Sequence, residues 1–281
     1  MRSPHYLLLA VALLAMTTSG PAIRFAAAPA IAIVLWRVIL GWPVLALLAL
    51  WRRERWPLAP GLAAGFFLAV HWIAWSMAVQ RTTLATASLL ICTGSLWTAL
   101  LSRPLLGEPV TRRQWTGLAL ALLGVSLVVS SRGSGRHSLL GDLYALGGAL
   151  AWVGYTFVGR RARQRSGFFG YTATVYLCAG LFAAIPALAL RLPLAGYDRR
   201  TWLALGALAL LPTLLGHGTV NYLLKHVGPA QLSLWTLADP VISTFSAWPL
   251  FGERPPPQVL VGAAFTLGGV ALGISERGKV R

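Results

Sequence analysis

Few ionisable side chains interrupt the apolar blocks of this sequence, and those few are the candidates for chemistry. Asp239 lies centrally in the apolar stretch 229–251 and is followed at once by Pro240. Proline has no N–H, so the carbonyl of Thr236 keeps an open acceptor beside that carboxylate. His71 lies near the middle of residues 57–80, with Phe67 a turn before it and Trp75 a turn after it on one helical face. A carboxylate and an imidazole at such depth can each take up and release a proton, so Asp239 and His71 are the expected proton-coupling groups. Arg37 lies about a third of the way into residues 29–50, and His217 and Asn221 share a face of residues 200–223. Trp152 and Tyr155, three apart, wall a cavity with Trp75 if all three face inward. The expected substrate-binding set is therefore Arg37, His71, Trp75, Trp152, Tyr155, His217 and Asn221.

Each of these residues also has a plainer reading. Arg37 can snorkel to an interface, His71 can donate to a backbone carbonyl, and His217 with Asn221 can bond neighbouring helices. Packing alone accounts for any single aromatic. Enzyme chemistry finds no foothold: H-E-x-x-H, G-x-S-x-G, a phosphate-binding glycine loop and a cysteine cluster are all missing from the sequence. Cys92 and Cys178 lie inside apolar blocks and make neither a metal motif nor a disulfide framework. No cofactor and no metal is expected.

The elements that position these groups are set by composition. Of 281 residues 57% are hydrophobic and 11% charged, with mean hydropathy +0.68, whereas a soluble domain carries roughly 25% charged residues. The apolar residues come in blocks long enough to cross a hydrocarbon core, which takes roughly 20 helical residues. The fold expected is an all-α integral membrane protein in the cell (inner) membrane, with the bilayer itself as a partner. The net charge of +17 is scattered over short loops and forms no stripe for nucleic acid, so none is expected as a partner. Arg2 and the run 6–15 imitate a signal peptide, but no small-x-small cleavage site follows, so the segment is read as a retained helix.

The block 81–132 and the block 226–277 are the same element written twice. Displaced by 145 residues they align without a gap: Pro104 on Pro249, Gly107 on Gly252, Glu108 on Glu253, Gly117 on Gly262 and Gly124 on Gly269. Ten spans are read, at about 6–26, 29–50, 57–80, 84–106, 112–131, 139–159, 168–190, 200–223, 229–251 and 256–275. Five spans per repeat means that the second copy enters from the opposite face, so residues 1–132 and 137–277 are expected to be inverted five-helix repeats. With the N-terminus inside, fourteen basic residues fall on inner segments and eight on outer ones, which puts both termini in the cytoplasm.

The repeated corner, Pro104 to Glu108 and Pro249 to Glu253, reads as structure. Gly107 and Gly252 suit a left-handed helix end, Thr111 can cap the next helix, and Glu108 and Glu253 lie near that helix's positive end. Gly269-x-x-x-Gly273 favours close helix packing and leaves a homo-oligomer open without requiring one.

The inverted repeat, the PLLGE/PLFGE corners after spans four and nine, and the G-x6-GV pattern of spans five and ten resemble the EamA-type carriers of the drug/metabolite transporter superfamily. The likeness extends to Trp36–Arg37, the stretch 80–90, Gly141–Asp142 and the Leu215–Gly216–His217 run with Asn221. One departure is Asp239–Pro240, where relatives often carry Glu-Pro. The resemblance implies a secondary carrier, commonly an exporter of amino acids or drug-like and other small metabolites, working by alternating access. The alternative is a membrane-embedded enzyme or assembly protein reusing such a fold.

Overall fold

The computed structural model of the protein describes residues 3–130, 138–242, 245 and 257–274, and every regular element among them is helical. The first group is α1 (Ser3–Thr17), α2 (Ser19–Phe25), α3 (Ala30–Trp51), α4 (Leu58–Arg81), α5 (Leu84–Cys92), α6 (Gly94–Leu106) and α7 (Arg112–Ser130). The second is α8 (Leu139–Arg163), α9 (Phe168–Ala189), α10 (Arg199–Leu208), a π-helical segment (Ala209–His217), α11 (Gly218–Leu223), α12 (Pro229–Thr236) and α13 (Pro257–Ile274). Helices satisfy their own backbone, which hydrocarbon demands.

Eight stretches among the described residues are long and apolar enough to cross a bilayer: His5–Phe25, Ala30–Trp51, Leu58–Arg81, Thr86–Leu106, Arg112–Ser130, Phe168–Ala189, Arg199–Leu223 and Pro257–Ile274. This is a multi-pass membrane protein. The expected sixth span is α8, a helix of 25 residues, but its glycines, its polar aromatics and Asp142 leave it outside those eight. The expected ninth span is described only to residue 242 and at 245, and the corner Pro249–Glu253, Glu253 with it, lies outside the described residues.

Several expected spans are broken helices. The fourth divides at Thr93, whose hydroxyl donates to Leu90 O at 2.6 Å, and Gly94 restarts the helix. The ninth divides at residues 237–238 and is helical again over 239–242. Pro240 explains that break, because its ring nitrogen cannot continue the ladder to Thr236. Thr93 and Ala238 stand 145 residues apart, the offset of the repeat. In the eighth, Pro212 again removes a donor, and the backbone widens to π geometry with Thr213 Oγ1 donating to Leu208 O at 2.7 Å.

α4 packs against α8 and α9, α3 against α9, and α7 against α13. The last pair meets backbone to backbone: a Cβ on Gly117 would lie 2.5 Å from Gly269 O, and one on Gly262 2.7 Å from Gly124 O. Gly117 and Gly262 are repeat mates, as are Gly124 and Gly269, so the contact is exchanged as across a two-fold axis. Thr266 Oγ1 reaches Ala121 O at 3.4 Å, again between mates.

At the first corner Gly107 ends α6 with φ +70, where a side chain would be strained. Thr111 Oγ1 accepts from Gln114 N (3.2 Å) and Gln114 Oε1 from Thr111 N (3.0 Å), a capping box for α7. The N-terminus of α7 is thereby served without Glu108. Instead of facing that dipole, Glu108 takes Arg160 Nε at 2.7 Å, and Arg160 reaches Leu224 O (2.8 Å) and Lys225 O (3.0 Å) beyond α11.

Candidate functional site

α1, α2, α4, α8, the π segment and the two broken spans enclose a cavity of about 80 Å³. Five of the expected residues stand on its wall: His71, Trp75, Trp152, His217 and Asp239. Arg37, Tyr155 and Asn221 do not; they lie behind it. Thr236, whose free carbonyl the sequence placed beside Asp239, lines the cavity too, with Trp72, Ser95, Met16 and Ser19, which were not anticipated.

Hydrogen bonds fix the two imidazoles. A carbonyl only accepts, so His71 Nδ1 carries its proton toward Gly148 O at 2.8 Å and leaves Nε2 for the cavity. An indole only donates, so Trp72 Nε1 gives its proton to His217 Nε2 at 3.0 Å. His217 Nδ1 then holds its own proton and donates to Pro212 O at 2.7 Å. The two rings lie 5.9 Å apart between centroids, with Trp152 5.3 Å from His71 and 5.8 Å from His217. Trp75 Nε1 donates to Ser19 Oγ at 3.1 Å, which ties α4 to the start of α2.

Arg37 is fully buried rather than snorkelled: its relative exposure is 0%. Its Nε donates to Thr213 Oγ1 at 2.7 Å and its guanidinium lies 4.2 Å from the Trp72 ring centroid. Tyr176 OH donates to Thr213 O at 2.6 Å, so the π segment is clamped from α3 and α9 at one residue. Tyr155 OH donates to Asn221 Oδ1 at 2.6 Å, and Arg163 Nε to Asn221 O at 2.9 Å. That pair works as bonding between helices behind His217.

The helix breaks form the remaining wall. Cys92 and Ser95 flank one and Thr236 and Asp239 the other. Cys92 Sγ faces Thr236 O at 3.9 Å, the carbonyl that Pro240 cannot serve, and Ser95 Oγ donates to Ser233 O at 2.6 Å. Trp152 Nε1 donates to Ser233 Oγ (3.2 Å), which donates to Thr98 Oγ1 (3.2 Å). Among the described residues no cation stands within ion-pair distance of Asp239. One signal in the sequence points to Trp72: it is the repeat mate of His217, 145 residues on. The helix breaks at Thr93 and at 237–238 occupy matching places in the two halves.

Comparison with known proteins places this architecture. A model of the EamA-like transporter family matches residues 3–130 and again residues 139–274. An uncharacterised transporter of Bacillus subtilis, YdfC, is 27% identical over 244 residues, covering 84% of this chain and 79% of that protein. A probable amino-acid metabolite efflux pump of Salmonella typhimurium is 27% identical, covering 67% of this chain and 66% of the relative. A probable terminal-alkyne amino-acid exporter of Streptantibioticus cattleyicolor is 28% identical, covering 66% and 63%. One crystal structure superposes with a TM-score of 0.81 at 24% identity, over 97% of this chain and 96% of the other, and speaks for the fold alone.

Proposed function

This chain belongs to the EamA-like transporter family of the drug/metabolite transporter superfamily, and on that premise we propose that it is a secondary carrier exporting small metabolites, amino acids foremost. The observation that carries this reading is the cavity bounded by two helix breaks 145 residues apart, with a carboxylate and an imidazole on its wall. Broken helices near the middle of the membrane are where carriers built from inverted repeats bind their solutes. The reciprocal contacts of α7 and α13 support two inverted halves, 1–132 and 137–277, of five spans each, which rock around this site. The relatives named as an efflux pump and an exporter support the outward direction and the amino-acid class.

His71, Trp75, Trp152 and His217 contact solute in this reading, Arg37 supports from behind Trp72, and Tyr155 with Asn221 holds His217 in place. Asp239 and His71 exchange protons with the cavity, so that solute movement is coupled to the proton gradient. The protein lies in the cell (inner) membrane with both termini in the cytoplasm. Purified protein in sealed vesicles, loaded with a panel of labelled amino acids and small drug-like solutes, tests this. Release of at least one solute above protein-free vesicles, increased by an imposed proton gradient, is expected. Chemical conversion of a solute without its movement would overturn the carrier in favour of a membrane enzyme.

A further inference from the structure

Arg37 is the one cation in the membrane interior with nothing charged against it among the described residues. Its Nε is bound by Thr213, its face is covered by Trp72, and neither of its terminal nitrogens has a hydrogen-bond partner. A guanidinium has five N–H donors, and a buried charge is stable only when paired. The described acids are committed elsewhere or lie too far away. Glu54 accepts from Gly170 N at 2.8 Å, Glu108 holds Arg160, and Asp198 accepts from Thr201 N at 2.8 Å. Neither Asp142 nor Asp239 is within ion-pair distance of Arg37.

The separation between Arg37 and the cavity is one indole thick. Trp72 faces the cavity and the guanidinium at once. The polar bond that holds the indole is the one from its Nε1 to His217 Nε2. His217 is held by Pro212 O and Arg37 by Thr213 Oγ1, adjacent residues of the same π segment. A shift of that segment therefore moves the cover and the cation together.

We propose that Arg37 is an anion subsite of this cavity with Trp72 as its cover, and that the solute carries a carboxylate; this rests on the carrier reading above. When Trp72 swings aside, the two terminal nitrogens receive the carboxylate in the bidentate geometry that a guanidinium favours. Asp239 on the wall offers an opposite charge to an ammonium group, and Trp75 and Trp152 offer ring faces to an apolar body. An amino-acid zwitterion with an apolar side chain satisfies all three.

The test pairs each of the common amino acids with its own carboxamide, which removes the negative charge and little else. Apparent affinities come from thermal shifts of purified protein, for wild type, Arg37→Gln, Arg37→Lys and Trp72→Phe. Wild type is expected to bind at least one acid about tenfold or more tightly than its amide. Arg37→Gln should erase that preference while amide binding stays, and Arg37→Lys should keep part of it. Trp72→Phe, which keeps a ring and loses the N–H, should tighten the acid and leave the amide unchanged. If Arg37→Gln fails to fold, the wild-type pairs and Trp72→Phe decide. Wild type that treats every acid and amide alike, Arg37→Gln that keeps the preference, or Trp72→Phe that leaves acid affinity unchanged would overturn the proposal. Vesicles that move acid and amide equally would overturn it and leave the carrier standing, whereas vesicles that move neither these pairs nor any solute of the wider panel would overturn both.

Discussion

At Cys92 the cavity carries its own reporter. The thiol stands on the wall beside the first helix break and is 3% exposed, while Cys178 lies elsewhere on α9. With Cys178→Ser as background, a small permeant thiol reagent should label Cys92 slowly, and a transported solute should slow it several-fold more. A solute that is transported but leaves the labelling rate unchanged would place the binding site outside this cavity. His71→Ala should weaken solute binding, because the ring offers Nε2 to the cavity while Nδ1 is spent on Gly148; Trp75→Ala should act alike. The individual candidates were partly legible in the sequence. Ionisable residues in apolar blocks are few, and His71, His217 and Asp239 do converge on one cavity. Arg37 was legible as unusual but its depth was not, because snorkelling and burial leave the same pattern in a sequence. Trp72 was hidden among twelve tryptophans, and only its offset of 145 from His217 distinguishes it.

Elements carry the stability of this arrangement. Gly117 approaches Gly269 so closely that Gly117→Val must part α7 from α13, at a cost of about 1–3 kcal/mol and a lower melting temperature. A Gly117→Val protein as heat-stable as wild type would contradict the close packing. Glu108→Gln loses the ion pair with Arg160; because Glu108 is 35% exposed, the loss should be on the order of 1 kcal/mol or less, with transport retained. A double-mutant cycle with Arg160→Gln measures the coupling, and folded Glu108→Gln without transport would make the corner part of the gate. Asp198 caps α10 from the loop before it. Hydrogen bonds from Thr201 hold its carboxyl below the ordinary aspartate range, so its contribution is present above that range and is lost as pH falls through the lowered value. Asp198→Asn caps without titrating and should flatten that acid limb in a melting-temperature profile. Helix existence was legible from apolar length, and the corner from Gly107. The breaks were not: Thr93 and residues 237–238 interrupt helices inside stretches whose average hydropathy still reads as one span, and that average was the signal that defined the spans.

For the whole molecule, the 145-residue offset marks contacts as well as similarity, since mates Ala121–Thr266 and Trp72–His217 touch, although the sequence alone showed only the similarity. It did not foretell that α8 would fall short of the other spans in hydropathy, because a helix packed against α4, α5, α6 and α9 needs less apolar surface than one facing lipid. If the halves are inverted with the termini inside, the Arg160–Arg165 segment is cytoplasmic. Gln164→Cys, with Cys92 and Cys178 replaced, should then stay hidden from an impermeant thiol reagent in intact cells; labelling from outside would reverse the orientation. Coupling is the property that belongs to the molecule as a unit, and Asp239 is where it is expected to reside. The decisive measurement is solute accumulation in vesicles across a series of imposed pH differences, for wild type and Asp239→Asn. Wild type should concentrate solute in step with the gradient, while Asp239→Asn exchanges solute across the membrane without concentrating it. Accumulation by Asp239→Asn with the pH dependence of wild type would contradict proton coupling through this cavity.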